Sequence, residues 1–267
     1  MKRSERPIAL TIAGSDSGGG AGIQADLATW AALGVHGTTA ITCLTAQNPR
    51  NVTAVQAVKP AFLLQQLETV HAELPPRAIK TGMLYSAPLI RCLATWYEGL
   101  GTNRPPLVVD PVMVSTSGSL LLQPSAIRVL TNSLFPLAIL LTPNLDEAAQ
   151  LLGHPIQEAD ELLPAALELY FRWGRPVLLK GGHLKGARRA TDVFFDGENE
   201  MELSSPWVKG VATHGTGCTY SAAISGYLAL GLELPVAVEM AKQHISNAIA
   251  QSVRIGDHTT LNPFWTD

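Results

Sequence analysis

Thr213-His214-Gly215-Thr216-Gly217-Cys218 runs directly into a segment whose apolar residues recur at helical spacing. The backbone N–H groups of a helix's first turn have no carbonyl partner within the helix and point out at the positive end of its dipole. A glycine-rich approach to such a turn makes an anion site, suited to charge developing on a phosphoryl group in transfer. Gly215, Thr216 and Gly217 would supply the donors. The same field lowers the pKa of a cysteine placed there from about 8.5 towards neutrality, which suits Cys218 to take a proton from an alcohol. A small thiol packed at a helix start gives the same pattern, and the pattern alone leaves both readings open.

Other polar groups are spaced for related work. Asn144-Leu145-Asp146-Glu147 puts an amide and a carboxylate at a helix start, where they either hold Mg²⁺ through water beside phosphate oxygens or cap the helix. Lys180 closes an apolar run and reads as a point charge for phosphate or as a lysine reaching solvent from a strand end. His183 and His214 have no partner at metal spacing, so loop hydrogen bonding is the simpler reading. The loop Gly18-x-Gly20-x-x-Ile23 lacks the third glycine of a dinucleotide fingerprint, with no distal acidic residue evident. Gly181-x-x-x-x-Gly186 continues with Ala187 and Arg188 where a P-loop requires Lys and Ser or Thr. A dehydrogenase and a P-loop kinase are both disfavoured.

These residues need a frame to position them. Short β-rich runs at 8–13, 38–44, 78–80, 107–109, 139–141 and 177–179 are each bounded by Gly, Pro or Asn. Helical stretches begin between them near Gly22, Ala61, Ala87, Ser125, Leu145 and Ala159. The alternation predicts a mostly parallel sheet with covering helices. A hairpin over 193–195 and 201–203 is expected around Asp196-Gly197, followed by helices over 218–230 and 235–255. In open α/β sheets ligands bind beyond the carboxyl ends of the strands. Polar residues follow all six runs: Gly14-Ser15-Asp16, Thr45-Ala46-Gln47-Asn48, Thr81-Gly82-Met83, Asp110-Pro111-Val112-Met113, Thr142-Pro143-Asn144 and Lys180-Gly181-Gly182. They predict one continuous pocket rim unless the two faces of the sheet separate some of them.

Bulk properties agree. With 267 residues, 46% of them hydrophobic and 15% charged, the chain can bury a large core, and a single α/β domain over 1–267 is expected. A net charge of −3 argues against nucleic acid as a partner, and the clusters Met1-Lys2-Arg3 and Lys185-Gly186-Ala187-Arg188-Arg189 read as solvated surface. Cys43, Cys92 and Cys218 show no metal or CxxC spacing, which fits free thiols and a cytoplasmic location. No apolar run approaches the roughly 20 residues that span a bilayer, so no membrane association is expected.

The ordered set of motifs resembles the ribokinase-like small-molecule kinases and, within them, the hydroxymethylpyrimidine and phosphomethylpyrimidine kinases of thiamine biosynthesis. The match covers about 8–255 and rests on Ala13-Gly14-Ser15-Asp16, Gly18-Gly19-Gly20-Ala21-Gly22-Ile23-Gln24-Ala25-Asp26, Thr45-Ala46-Gln47-Asn48, Lys80-Thr81-Gly82-Met83, Asp110-Pro111-Val112-Met113, Thr142-Pro143-Asn144-Leu145-Asp146-Glu147-Ala148, Lys180-Gly181-Gly182-His183 and His214-Gly215-Thr216-Gly217-Cys218. The resemblance implies a three-layer α/β/α sandwich, a homodimer, and use of ATP and Mg²⁺ to phosphorylate hydroxymethylpyrimidine and then its monophosphate. It implies that Gln47, Met83 and Val112 meet the pyrimidine, with Gly14, Ala21 and Asp26 shaping the pocket. Asn144, Lys180, Thr213 and Gly217 would bind ATP, and Glu147 and Asp110 would serve the metal. Lys180 and the Gly215, Thr216 and Gly217 amides would stabilise the transferred phosphoryl, with Cys218 activating the hydroxyl. Cysteine-bearing pyridoxal kinases share the pattern and stand as the alternative, as does a non-catalytic pyrimidine sensor. Thr116 stands where many relatives carry lysine, 255–263 lacks the usual glycine-rich, proline-bearing stretch, and 116–119 is the expected mobile lid.

Overall fold

The computed structural model describes residues 5–114, 121–182, 184, 189–208 and 214–265. In chain order the first elements are β1 (Ile8–Ser15), α1 (Gly22–Ala32), β2 (His36–Gln47), β3 (Val52–Ala57), α2 (Pro60–Glu73), β4 (Ala78–Thr81), α3 (Ala87–Gly99) and β5 (Leu107–Val109). They continue with α4 (Pro124–Val129), β6 (Leu140–Leu141), α5 (Leu145–Leu152), α6 (Leu162–Trp173), β7 (Val177–Leu179), β8 (Arg189–Phe195) and β9 (Glu200–Pro206). The last are α7 (Thr216–Ala229), α8 (Leu234–Ala250), β10 (Val253–Ile255) and β11 (His258–Thr260).

Among the described residues, β1 to β9 form one sheet in the order β3-β2-β1-β4-β5-β6-β7-β8-β9. Pairing is parallel from β2 through β7 and antiparallel at both margins, where β3, β8 and β9 lie. The central strands have no solvent face: Leu107, Val108 and Val109 are all fully buried. Successive side chains on a strand point to opposite faces. Leu107, Val109, Leu141, Val177 and Leu179 therefore pack into a core with α2 to α6, while Val108, Leu140 and Leu178 pack with α7 and α8. On that second face Trp30 of α1 lies with Ala9, Ala78 and Ala222, and its indole N–H donates to the Ala222 carbonyl at 2.8 Å. The result is the expected three-layer α/β/α sandwich with a mostly parallel sheet.

Three elements depart from the sequence-based expectations. β3 escapes the hydrophobic pattern because none of its residues is buried, as a margin strand allows. The helix expected over 235–255 ends at Ala250. Val253–Ile255 instead turns back on His258–Thr260, and the returning chain is anchored by the Asn262 N–H donating to the Ala248 carbonyl at 3.1 Å and by buried Leu261. Near Ala159 a short 3-10 turn precedes α6. No helix among the described residues is long and apolar enough to cross a membrane.

Candidate active site

A cavity of about 230 Å³ opens at the carboxyl edge of the parallel strands. All six polar strand ends reach it, through Gly14 and Asp16, Gln47, Met83, Asp110 and Val112, Asn144, and Lys180. Ala21 and the start of α7, from Gly215 to Cys218 in the chain, line it as well. Thr213, His183 and 116–119 lie outside the described residues.

The start of α7 is built for close approach. Gly215 is its N-cap at φ 81°, a left-handed conformation, and a β-carbon there would run into the Gly20 carbonyl. The Thr219 N–H is the donor that returns to Gly215 O, at 2.9 Å, so the Gly217 and Cys218 amides have no i−4 carbonyl within the helix. Lys180 lies next to this turn: a β-carbon on Gly217 would stand 3.1 Å from its Nζ. The lysine is turned into the cleft rather than out to solvent, donating to Asp110 Oδ1 at 2.9 Å, and Ser221 Oγ donates to Asp110 Oδ2 at 3.0 Å. Burial opposes the charge on Lys180, but Asp110 and Glu147 outweigh it and raise its pKa. The result is a fixed cation beside a row of amides.

At the start of α5 the capping reading is realised. Glu147 N–H donates to Asn144 Oδ1 and Asn144 N–H to Glu147 Oε2, both at 2.9 Å, and Met113 N–H donates to Glu147 Oε1 at 3.2 Å. Burial, against the pull of Lys180 and with a push from Asp110, lifts the Glu147 carboxyl to about 7. Among the described residues no group of three or more His, Cys, Asp or Glu forms a metal cage. Two oxygen-donor carboxylates whose oxygens already accept protein hydrogen bonds fit a hydrated Mg²⁺ carried mainly by phosphate. Asp110 and Glu147 would hold it through water.

Cys218 corrects the sequence reading. Its thiol is not acidic: burial pushes it up to about 11, with Asp26 and Asp110 adding to the rise, while Lys80 and the Gly22 N–H work the other way. The sequence pattern revealed the helix start but not the desolvation that overrides it. Asp26 is the second correction. It does not line the cleft; its carboxylate is fully buried, accepting from Lys80 Nζ at 2.8 and 2.9 Å and from Thr11 Oγ1 at 2.6 Å. The Asp26–Lys80 ion pair lies beneath the thiol and acts on it only through its field.

Elsewhere on the cleft, Met83 packs against Gly14, with Sδ 3.5 Å from where a β-carbon would be. Val112 holds φ 37°, a conformation β-branched residues rarely adopt, next to Asp110-Pro111. His214 takes part in loop hydrogen bonding, with Nε2 3.1 Å from Asp16 Oδ2 and 3.3 Å from the Gln47 amide. Sequence reasoning missed Asp192 and Lys242, which pair at 2.7 Å on the cleft wall near Lys180. The available signals were a carboxylate inside the apolar run 190–195 and a lysine on the apolar stripe Val238, Ala241 and Ile245.

A lysine fixed beside the first amides of a helix suits phosphoryl groups, and the sheet that carries them has the architecture of the ribokinase-like kinases. The chain belongs to the phosphomethylpyrimidine kinase family, whose model matches residues 16–262. A hydroxymethylpyrimidine/phosphomethylpyrimidine kinase of Synechococcus elongatus is 47% identical over 253 residues, covering 94% of either chain. The crystal structure of phosphomethylpyrimidine kinase from Clostridium difficile superposes with a TM-score of 0.78 at 41% identity, over 91% of this chain and 100% of that one. Bacillus subtilis pyridoxal kinase in complex with ADP gives 0.87 at 37% identity over 97% of each.

Proposed function

We propose that the protein transfers phosphate from ATP to the hydroxyl of 4-amino-5-hydroxymethyl-2-methylpyrimidine and then to the resulting monophosphate. The observation that carries this reading is a single cleft lined by Gln47 and Met83 together with Lys180, Gly217 and Cys218. Gln47 offers a donor and an acceptor to an aminopyrimidine edge. Lys180 and the amides of the α7 start hold the phosphoryl in transfer, and Asn144 faces the nucleotide. Asp110 and Glu147 would hold Mg²⁺ through water, where it would neutralise phosphate charge. Catalysis is mainly positioning and electrostatics, with the hydroxyl proton passing to the minor thiolate form of Cys218, which the raised pKa keeps scarce at neutral pH.

Incubating the purified chain with Mg²⁺, ATP and the pyrimidine alcohol should yield its monophosphate and then its diphosphate. Pyrimidine binding without ATP consumption would sink the catalytic reading and leave a sensor. Cys218→Ala should lower kcat by about 10²-fold or more. The likeness to pyridoxal kinase favours a second reading, and a higher kcat/KM for pyridoxal in the same assay would select it. The reading also carries a homodimer, which sedimentation of the purified protein tests.

A further inference from the structure

The side-chain amide of Gln47 has two chemically different ends, and its neighbours decide which way they face. One end lies 3.2 Å from Thr45 Oγ1 and the other 3.3 Å from His214 Nε2. The Thr45 hydroxyl has one proton, and the Ser15 carbonyl accepts it at 2.9 Å. Thr45 therefore turns a lone pair towards Gln47, which calls for an N–H.

At the other end, His214 Nε2 lies 3.1 Å from Asp16 Oδ2. Burial opposes ionisation of Asp16, but His214 and the N–H groups of Gly18 and Ala21, at 2.8 and 2.9 Å, outweigh it and hold the carboxyl below its ordinary value. An ionised carboxylate only accepts, so Nε2 carries the proton, and the atom of Gln47 facing it has to be oxygen. The ring has a fixed seat, since a β-carbon on Gly20 would stand 2.9 Å from His214 Cδ2.

The structure draws Oε1 at Thr45 and Nε2 at His214, and a half-turn of the amide exchanges the two. The drawn form asks one Thr45 proton to serve two acceptors and sets an imidazole lone pair against a carboxylate. The turned form gives the Thr45 lone pair an amide N–H and sets an acceptor, not a donor, against the His214 N–H, which that oxygen shares with the Asp16 carboxylate. We propose that Asp16, acting through His214, and Thr45 lock the Gln47 amide with its oxygen towards His214 and its NH2 towards Thr45, making Gln47 a one-way reader of the substrate edge.

The consequence for specificity rests on the pyrimidine reading. A 4-aminopyrimidine presents a ring-nitrogen acceptor beside an amino donor, and it fits the locked amide with its amino group on the His214 side. A 4-oxopyrimidine reverses that polarity and meets the amide donor to donor. A bidentate pair of this kind discriminates by about 10- to 100-fold in kcat/KM.

Nuclear Overhauser contacts in the ligand-free, full-length protein read the orientation directly, with the Gln47 NH2 signals assigned by their loss in Gln47→Glu. Contacts from these protons to the Thr45 methyl are expected; stronger contacts to the His214 ring protons would overturn the proposal. In kinetics, Thr45→Val releases one end of the lock and Asp16→Asn lets His214 accept instead. Both should lower the preference for the 4-amino over the 4-oxo alcohol by about tenfold, the loss falling on KM rather than kcat. An unchanged preference in Thr45→Val, which leaves the Asp16 loop contacts intact, would count against the lock. The magnetic resonance measurement needs no substrate, so its failure is distinguishable from failure of the kinase reading.

Discussion

Replacing Asp26 by Asn removes a negative charge from beneath Cys218 while leaving Lys80 in place. In the native protein the thiol is held at about 11 against an ordinary 9.0, first by burial and then by Asp26 and Asp110. Two units correspond to about a hundredfold less thiolate at neutral pH than an ordinary cysteine carries. Without Asp26 the Lys80 cation acts unopposed, and a nearby opposite charge of this kind lowers a pKa by roughly one unit or more. Alkylation of Cys218 by iodoacetamide at pH 8 should then accelerate about tenfold. Lys80→Met should slow it, because Asp26 is left uncompensated. Both variants break a fully buried ion pair and should lose stability, on the order of 3–5 kcal/mol. Stability therefore moves in one direction for the two variants and thiol acidity in opposite directions. Alkylation rates against pH, followed by mass spectrometry of the Cys218 peptide well below the unfolding temperature, separate the two effects. Acidity moving the same way in both variants, or a native midpoint near 8.5, would refute the reasoning.

Gly215→Ala should cut kcat/KM by more than about a hundredfold and lower Tm, since the new methyl meets the Gly20 carbonyl at a left-handed φ and the α7 start cannot keep its amides in place; steady-state kinetics with calorimetry check it. Lys180→Met should lower kcat by roughly 10²–10³-fold, with a smaller change in KM for the alcohol, measured at saturating ATP. His244 is buried against Trp265, whose indole N–H donates to Nδ1 at 3.3 Å, and burial depresses its pKa from 6.5 to about 4. The unfolded chain binds this proton first, so the contribution is fully present above about pH 6.5 and is lost as pH falls through about 4. The loss is at most ~3 kcal/mol. Urea denaturation at pH 7 and 4.5 should show a decline that His244→Phe flattens.

Much of the frame was legible because it is local. The runs at 107–109 and 177–179 coincide with β5 and β7, where continuous β-branched and leucine residues between turn residues leave little choice. Asn144 and Glu147 announced a helix start, and the capping box is closed within four residues. The polar strand ends announced the rim, since a parallel sheet brings all its carboxyl ends to one edge. β3, at the margin of the main sheet, and the separate β10–β11 hairpin were not legible, because short strands of exposed and half-buried residues carry little periodic signal.

By itself the sequence determined the alternation of strands and helices, the helix start at Gly215 to Cys218, and the order of groups along the cleft, all of which follow from neighbours in the chain. Only the tertiary structure decided how those groups are charged and aimed. Lys80 meets Asp26 across 54 positions, Lys180 meets Asp110 across 70, and His214 meets Asp16 across 198. Cys218 shows why this matters. The helix start argues for an acidic thiol, but desolvation is a property of the surroundings and outweighs the local field.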